Sequence, residues 1–195
     1  MKNQSSRRNR GFTLVELLVV IAIIAVLASA GFAAGNAAIQ KARKTTALSA
    51  ATAIESAVNN FYTEYGSMPS DGTADDTVNT RTDLKLLRVL LGMDEGSTTP
   101  MNARAVKFLS VREGKSNKGG LIYSTNGTNI SGMFDPWGGP YQVMMDLDYD
   151  EKLTVKPKGA GSQARVLNGR RVAAWSDGAD GVTAAGKTAD DVITW

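Results

Sequence analysis

The sequence predicts an α+β protein in which one long N-terminal helix packs on a small antiparallel β-sheet. An apolar run, GFTLVELLVVIAIIAVLASAGFAAG from Gly11 to Gly35, is long enough to cross a bilayer core, for which roughly 20 apolar residues suffice. Beyond it, apolar residues keep the 3-and-4 spacing of one helical face at Ala47, Ala50, Ala51, Ile54, Ala57, Val58, Phe61 and Tyr65. The remainder breaks into short β-prone runs separated by Gly-, Pro- and Asp-rich segments.

One helix from Phe12 to about Tyr65 follows from these patterns, on the order of 80 Å at 1.5 Å per residue. Its second half must pack on a soluble domain. The alternative is two helices broken near Gly31 or Gly35, since a helix-interior glycine costs roughly 1 kcal/mol. Gly66 followed by Pro69 is a stop signal. The polar, acidic stretch Ser67 to Arg81 reads as a loop, and a short helix follows with Thr82 as cap, Leu84 to Leu91 as its apolar body and Gly92 as its end. A second loop runs from Met93 to Asn102, and Ala105 to Val111 fits strand and helix equally. Strands are expected at Leu121 to Tyr123, Tyr141 to Leu147, Leu153 to Val155 and Arg171 to Ser176.

Two local motifs punctuate this region. In FDPWGGPYQV, Phe134 to Val143, Asp135 and Pro136 set a turn, the glycines relax it, and Trp137 serves as core or as cover for the helix. The spacing Asp146, Asp148, Asp150 suggests a calcium loop at first sight, but an EF-hand needs Gly at its sixth position and Glu at its twelfth, where this chain has Glu151 and Pro157. A hairpin turn between strands is the expected role, with a second cation site left open.

The 195 residues include no cysteine and no histidine, and the net charge is +3. Lys2, Arg7, Arg8 and Arg10 precede the apolar run; without them 18 basic residues face 19 acidic ones, a net −1. The basic character therefore belongs to the leader, and nothing argues for nucleic-acid binding. Those four cations favour a cytoplasmic N-terminus, a preference weakened by Lys41, Arg43 and Lys44 on the far side. Disulfides and thiolate chemistry are excluded. No phosphate-cradling glycine loop or nucleophile elbow is present, and nothing sets two carboxylates in an apolar cleft, so an enzyme is not expected.

Glu16 interrupts the apolar run, and a charge at the centre of a spanning helix costs about 2.5–3.5 kcal/mol, less near its end. A secretory signal peptide, cut after Ala28-Ser29-Ala30, accounts for everything except Glu16. A plain membrane anchor would let Glu16 snorkel to the interface. The stretch KNQSSRRNRGFTLVELLVV resembles the type III leader and cleavage site of the type IV pilin and type II secretion pseudopilin superfamily.

That resemblance implies a leader of residues 1–11, a transmembrane and assembly helix of 12–35, a periplasmic helix half of 36–66 and a globular domain of 67–195. Prepilin peptidase would cut after Gly11 on the cytoplasmic face, Phe12 would become the N-methylated first residue, and Glu16 would pair with the Phe12 ammonium of a neighbouring subunit. Close pairing is what offsets the desolvation of two ions in low dielectric. Relatives usually carry a proline where this chain has Ala33, so any melting of the helix on assembly would rely on Gly31 and Gly35.

Two further segments resemble the major pseudopilin of type II secretion: DPWGGPY, and the tail WSDGADGVTAAGKTADDVITW, which is similar to that family's terminal calcium loop. The resemblance implies Ca2+ held by the carboxylates of Asp180 and Asp190 and the main-chain carbonyls of Asp177 and Val182, with Ser176 and Asp191 as further candidates. Six to eight oxygen ligands are what calcium takes. Composition alone reads the same tail as a solvated acidic loop. If a metal binds, it would hold the tail to the sheet with Val192, Ile193 and Trp195 packed beneath it. The implied function is a structural subunit that polymerises with itself into a periplasmic pseudopilus, alongside other pseudopilins and an inner-membrane secretion platform. The nearest alternative is a type IV pilus subunit, although many pilins staple their C-terminal region with a disulfide that this chain lacks. A signal-peptide-processed, calcium-stabilised periplasmic domain is the alternative from another class.

Overall fold

The computed structural model describes residues 12–94, 98–124, 129–155, 164–181 and 191–195. Helix α1 spans Leu14–Tyr65 without interruption, so neither Gly31 nor Gly35 breaks it. The chain divides into two compact units at Lys41. In the first, the described part of α1 is all there is, and its large apolar side chains are exposed: Leu14, Val15, Leu17, Leu18, Ile21, Ile23, Ile24, Val26 and Leu27.

The second unit, residues 42–195, forms around the rest of α1. Ala47, Ala51, Ile54, Ala57, Val58 and Phe61 are buried along one stripe. Each Ile, Val or Phe buried there contributes about 1.5–3 kcal/mol. The Phe108 ring stands edge-on to Phe61 at 5.4 Å between centroids and to Tyr65 at 6.1 Å. Gly66 ends the helix at φ +70°, its N–H donating to the Tyr62 carbonyl.

A four-stranded antiparallel sheet has the order β1 (Asp76–Asn79), β4 (Tyr141–Met145), β7 (Val172–Ser176), β8 (Val192–Ile193). Between these strands in sequence lie helix α2 (Leu84–Leu91) and two separate antiparallel pairs, β2 (Gly120–Tyr123) with β3 (Ile130–Phe134) and β5 (Lys152–Val155) with β6 (Arg165–Asn168). Alternation along the strands divides the sheet's faces. Tyr141, Val143, Met145, Val172 and Ala174 join the core that includes α1 and α2. Met144, Ala173 and Trp175 join a second cluster with Leu153, Val155 and Leu167 of the β5–β6 pair.

Several expectations are corrected. The loop expected over 67–81 contains β1, which pairs with β4 from Asp76↔Met145 to Asn79↔Gln142. Its polar residues suit an edge strand, where charge discourages further pairing. Asp83, not Thr82, occupies the N-cap of α2, and it makes no side-chain capping bond. Residues 105–111 are neither strand nor helix; the segment is held instead by Phe108 and Leu109 N–H groups donating to the Leu90 carbonyl, each at 2.9 Å. Asp146 to Asp150 do not turn a hairpin, because β4 and β5 pair with different partners. Strands β3, β6 and β8 were also not anticipated. Trp137 is half-buried, so it does not sit in the core.

Helix α2 ends in a Schellman arrangement, with Gly92 N–H on the Val89 carbonyl and Met93 N–H on the Arg88 carbonyl. Gly92 has φ +71°, and a Cβ there would lie 2.6 Å from the Ala105 carbonyl oxygen. Only glycine fits.

Buried polar side chains join what the backbone ladders do not. Asn102 accepts from the Tyr65 hydroxyl (2.8 Å) and donates to the carbonyls of Val89 (2.7 Å) and Val106 (2.8 Å), tying α1, α2 and the 105–111 segment. Thr80 donates its hydroxyl to the Met133 carbonyl (2.6 Å) and accepts from the Tyr141 N–H (2.9 Å), joining β3 to β4 just beyond β1. Replacing Thr80 with Val keeps the shape and orphans both partners, each at a cost of about 1–3 kcal/mol. Thr80→Val should lower unfolding stability in urea by about 2–6 kcal/mol; a loss below about 0.5 kcal/mol would show that Thr80 does not bridge the strands.

Candidate functional site

Three groups of residues carry the functional expectations. At the start of α1, Thr13 occupies the cap position and Glu16 lies three residues on. The Glu16 Oε2 accepts from the Thr13 N–H (2.8 Å) and hydroxyl (2.7 Å), while the Glu16 N–H donates to Thr13 Oγ1 (3.2 Å). This reciprocal pair is a capping box, which satisfies N–H groups that the first turn leaves open. Glu16 thus has a role within its own chain that the sequence reading, concerned with pairing between chains, did not assign. The T-x-x-E spacing was the available signal. Phe12 is exposed, and Gly11 lies outside the described residues.

The second group centres on the turn between β3 and β4. Asp135 is fully buried. Its Oδ1 accepts from the N–H groups of Trp137 (2.8 Å), Gly138 (2.7 Å) and Gly139 (2.9 Å), and its Oδ2 accepts from the Ser176 hydroxyl at 2.5 Å. Gly138 has φ +108°, and a Cβ on Gly139 would stand 2.9 Å from Asp135 Oδ2, so the two glycines let the backbone wrap the carboxylate. Burial, together with the charge of Asp135, pushes the neighbouring Tyr141 hydroxyl well above its ordinary pKa.

Ser176 ends β7 and opens the tail. Its hydroxyl also accepts from the Gly178 N–H at 3.1 Å. Asp177 is buried, with Gln142 Nε2 at 3.5 Å from its Oδ2, and Asp180 is exposed. Asp191 is half-buried and leads into β8, whose Val192 pairs with Ser176 and Ile193 with Trp175. Val182 and Asp190 lie outside the described residues. Both ends of the tail are therefore fixed side by side on the sheet. Trp195 stands edge-on to Trp175 at 5.7 Å, and Arg170 reaches both Glu55 of α1 (3.0 Å) and the Thr194 carbonyl (3.1 Å). The donor types are all oxygen, which suits a hard cation such as calcium.

The third group is acidic. Asp75, Asp146 and Asp148 bring one carboxylate oxygen each within 4.8 Å of one another. Asp146 is buried, accepts from the N–H groups of Asp150 (3.2 Å) and Glu151 (3.0 Å), and holds its proton above the usual carboxylate range because of that burial. Of the D-x-D-x-D series, Asp150 is not a member, and Asp75 takes its place. Pairing of β1 with β4 delivers Asp75, and no local sequence pattern announces it.

Comparison with known proteins bears on the first group. Residues 6–32 match the family described as the prokaryotic N-terminal methylation motif. The chain is 33% identical over 76 residues to the type IV major pilin protein PilE1 of Neisseria gonorrhoeae, covering 39% of this chain and 46% of that protein. It is 37% identical over 65 residues to a fimbrial protein of Neisseria meningitidis, covering 33% and 38%. It is 35% identical over 65 residues to the fimbrial protein EcpC of Eikenella corrodens, covering 33% and 42%. The chain thus spans less than half the length of these curated relatives. No solved structure matches it. A methylation-motif N-terminus, these relatives and an α+β fold built on one long helix together support placing the chain in the type IV pilin and pseudopilin superfamily.

Proposed function

We propose that this chain is a structural, non-enzymatic subunit of a bacterial filament, polymerising through the apolar half of α1. The observation that carries this reading is the N-terminal segment: a basic leader, Gly11-Phe12, and a single acid, Glu16, at the head of a helix long and apolar enough to cross a membrane. Before assembly the chain spans the bacterial inner membrane once, leader in the cytoplasm and globular unit in the periplasm. Prepilin peptidase removes residues 1–11, Phe12 is N-methylated, and Glu16 neutralises the Phe12 ammonium of a neighbour. Packing of the Ala- and Gly-containing helix face supplies lateral contacts.

Within this class the DPWGGPY turn and the Asp-rich, cysteine-free tail favour a pseudopilus that drives export through a type II secretion system. Its partners there are other pseudopilins and the inner-membrane platform. The tail would bind Ca2+ through Asp177, Asp180, Val182 and Asp190, with Ser176 and Asp191 beside them. The relatives are pilins, which favours the second reading, a type IV pilus subunit. Deleting the chain from its native host separates the two: loss of protein export supports the pseudopilus, and loss of surface pili supports the pilus.

Mass spectrometry of the N-terminal peptide from native membranes should find methylated Phe12, whereas a start at Gly31 would replace this reading with signal-peptide cleavage. Glu16→Ala should leave the chain inserted and folded while filament yield falls at least tenfold, the effect of an ion left without its partner in low dielectric. Calcium at a hundredfold excess over its Kd should raise the melting temperature of the full chain by about 5–10 °C. Replacing Asp180 and Asp190 together with Ala should abolish that rise, and a retained rise would move the site elsewhere.

A further inference from the structure

We propose that Asp135 is a positioning residue for the C-terminal loop: through Ser176 it fixes the backbone from which Asp177 is presented to a divalent cation. This rests on the calcium reading of the tail given above.

The two halves of the connection come from distant parts of the chain. Asp135 Oδ1 holds three consecutive N–H groups of the β3–β4 turn, which fixes the carboxylate's plane. With one oxygen so held, Oδ2 can point only where Ser176 lies, and the 2.5 Å contact is in the range of a charge-assisted O–H···O bond. Ser176 then accepts from the Gly178 N–H, so the same hydroxyl closes the first turn of the tail around Asp177. Gly178 has φ +71°, which turns the chain away from β7 at that point. Gln142, which pairs in register with Trp175, approaches the Asp177 side chain from β4. Among the described residues Asp135 makes no salt bridge, so its buried carboxylate depends on these four hydrogen bonds. The turn and the tail, separate motifs in the sequence, become one unit in which order at either end favours order at the other.

A buried hydroxyl already held by Asp135 is poorly placed to ligate a metal itself. Ser176 therefore acts through the geometry of Asp177 and its carbonyl rather than through Oγ. Ordering this backbone before metal arrives removes an entropic cost from binding.

Asp135→Asn, which keeps an oxygen for the three N–H groups but turns an uncharged NH2 donor toward Ser176 in place of the accepting carboxylate oxygen, and Ser176→Ala, which removes the hydroxyl, test the link in the full-length chain by calcium titration. Each should weaken calcium binding about tenfold, and the double variant should weaken it no further, since both remove the same charge-assisted bond. Asn102→Ala, which loosens the junction of α1, α2 and the 105–111 segment without touching the turn or the tail, serves as the control for general destabilisation and should leave the affinity unchanged. Unchanged affinity in Asp135→Asn and Ser176→Ala, or additive losses in the double variant, would overturn the proposal. If the wild-type chain does not bind calcium, the calcium reading itself fails; hydrogen exchange then judges the anchor alone. Faster exchange at the Asp177 and Gly178 amides in both variants supports it, and unaltered exchange removes it.

Discussion

The constraint on which the structure depends is that one helix serves two environments. From Leu14 onward α1 offers apolar side chains around its whole circumference, a pattern that suits hydrocarbon. From Ala47 the same helix narrows its apolar surface to a stripe, and α2 and one face of the four-stranded sheet pack on that stripe. The small residues Ala47, Ala51 and Ala57 let neighbouring segments come close, while Ile54, Val58 and Phe61 supply the area that drives burial. Without the second unit, the stripe would have no cover; without the stripe, the four-stranded sheet would have one bare face.

Polar side chains complete what burial begins. Among the described residues the unit contains three short β assemblies and a segment with no regular structure, so backbone groups there need partners outside a ladder. Asn102, Thr80 and Asp135 supply those partners, each fully or almost fully buried and each bridging segments far apart in sequence. Such groups are costly unless satisfied, and here they are satisfied. They also specify which segments meet, which a purely apolar core of similar volume would leave less determined.

Much of this was legible beforehand, and the failures share a physical cause. The extent of α1 and its buried face followed from spacing, and the capping glycines at Gly66 and Gly92 marked the ends of both helices. The β3–β4 turn was legible because its determinants, Asp135 to Pro140, are contiguous. Strand β1 was not, because an exposed edge strand of Asp76, Thr77, Val78 and Asn79 looks like a loop when only its own composition is read. Asp75 beside Asp146, and Ser176 beside Asp135, depend on strand register between residues more than forty positions apart. Local pattern carries no record of register. The intrachain role of Glu16 was, by contrast, local and legible in the Thr13-x-x-Glu16 spacing, which the hydrocarbon cost of its charge does not express.

The path of the chain between β4 and β7 has a structural corollary. These two strands pair along their length, and the ladder continues past them to a bond from the Asp146 N–H to the Arg171 carbonyl. Everything from Leu147 to Arg170, including β5 and β6, leaves and returns through that last rung. The segment is a detour whose exit and return are already clamped together. Lengthening a loop whose ends are fixed costs only about 0.6 kcal/mol per doubling. Sequence or a grafted label added beyond Val155 and before Arg165, the last rung of the β5–β6 pair, thus leaves the register of the central strands unchanged.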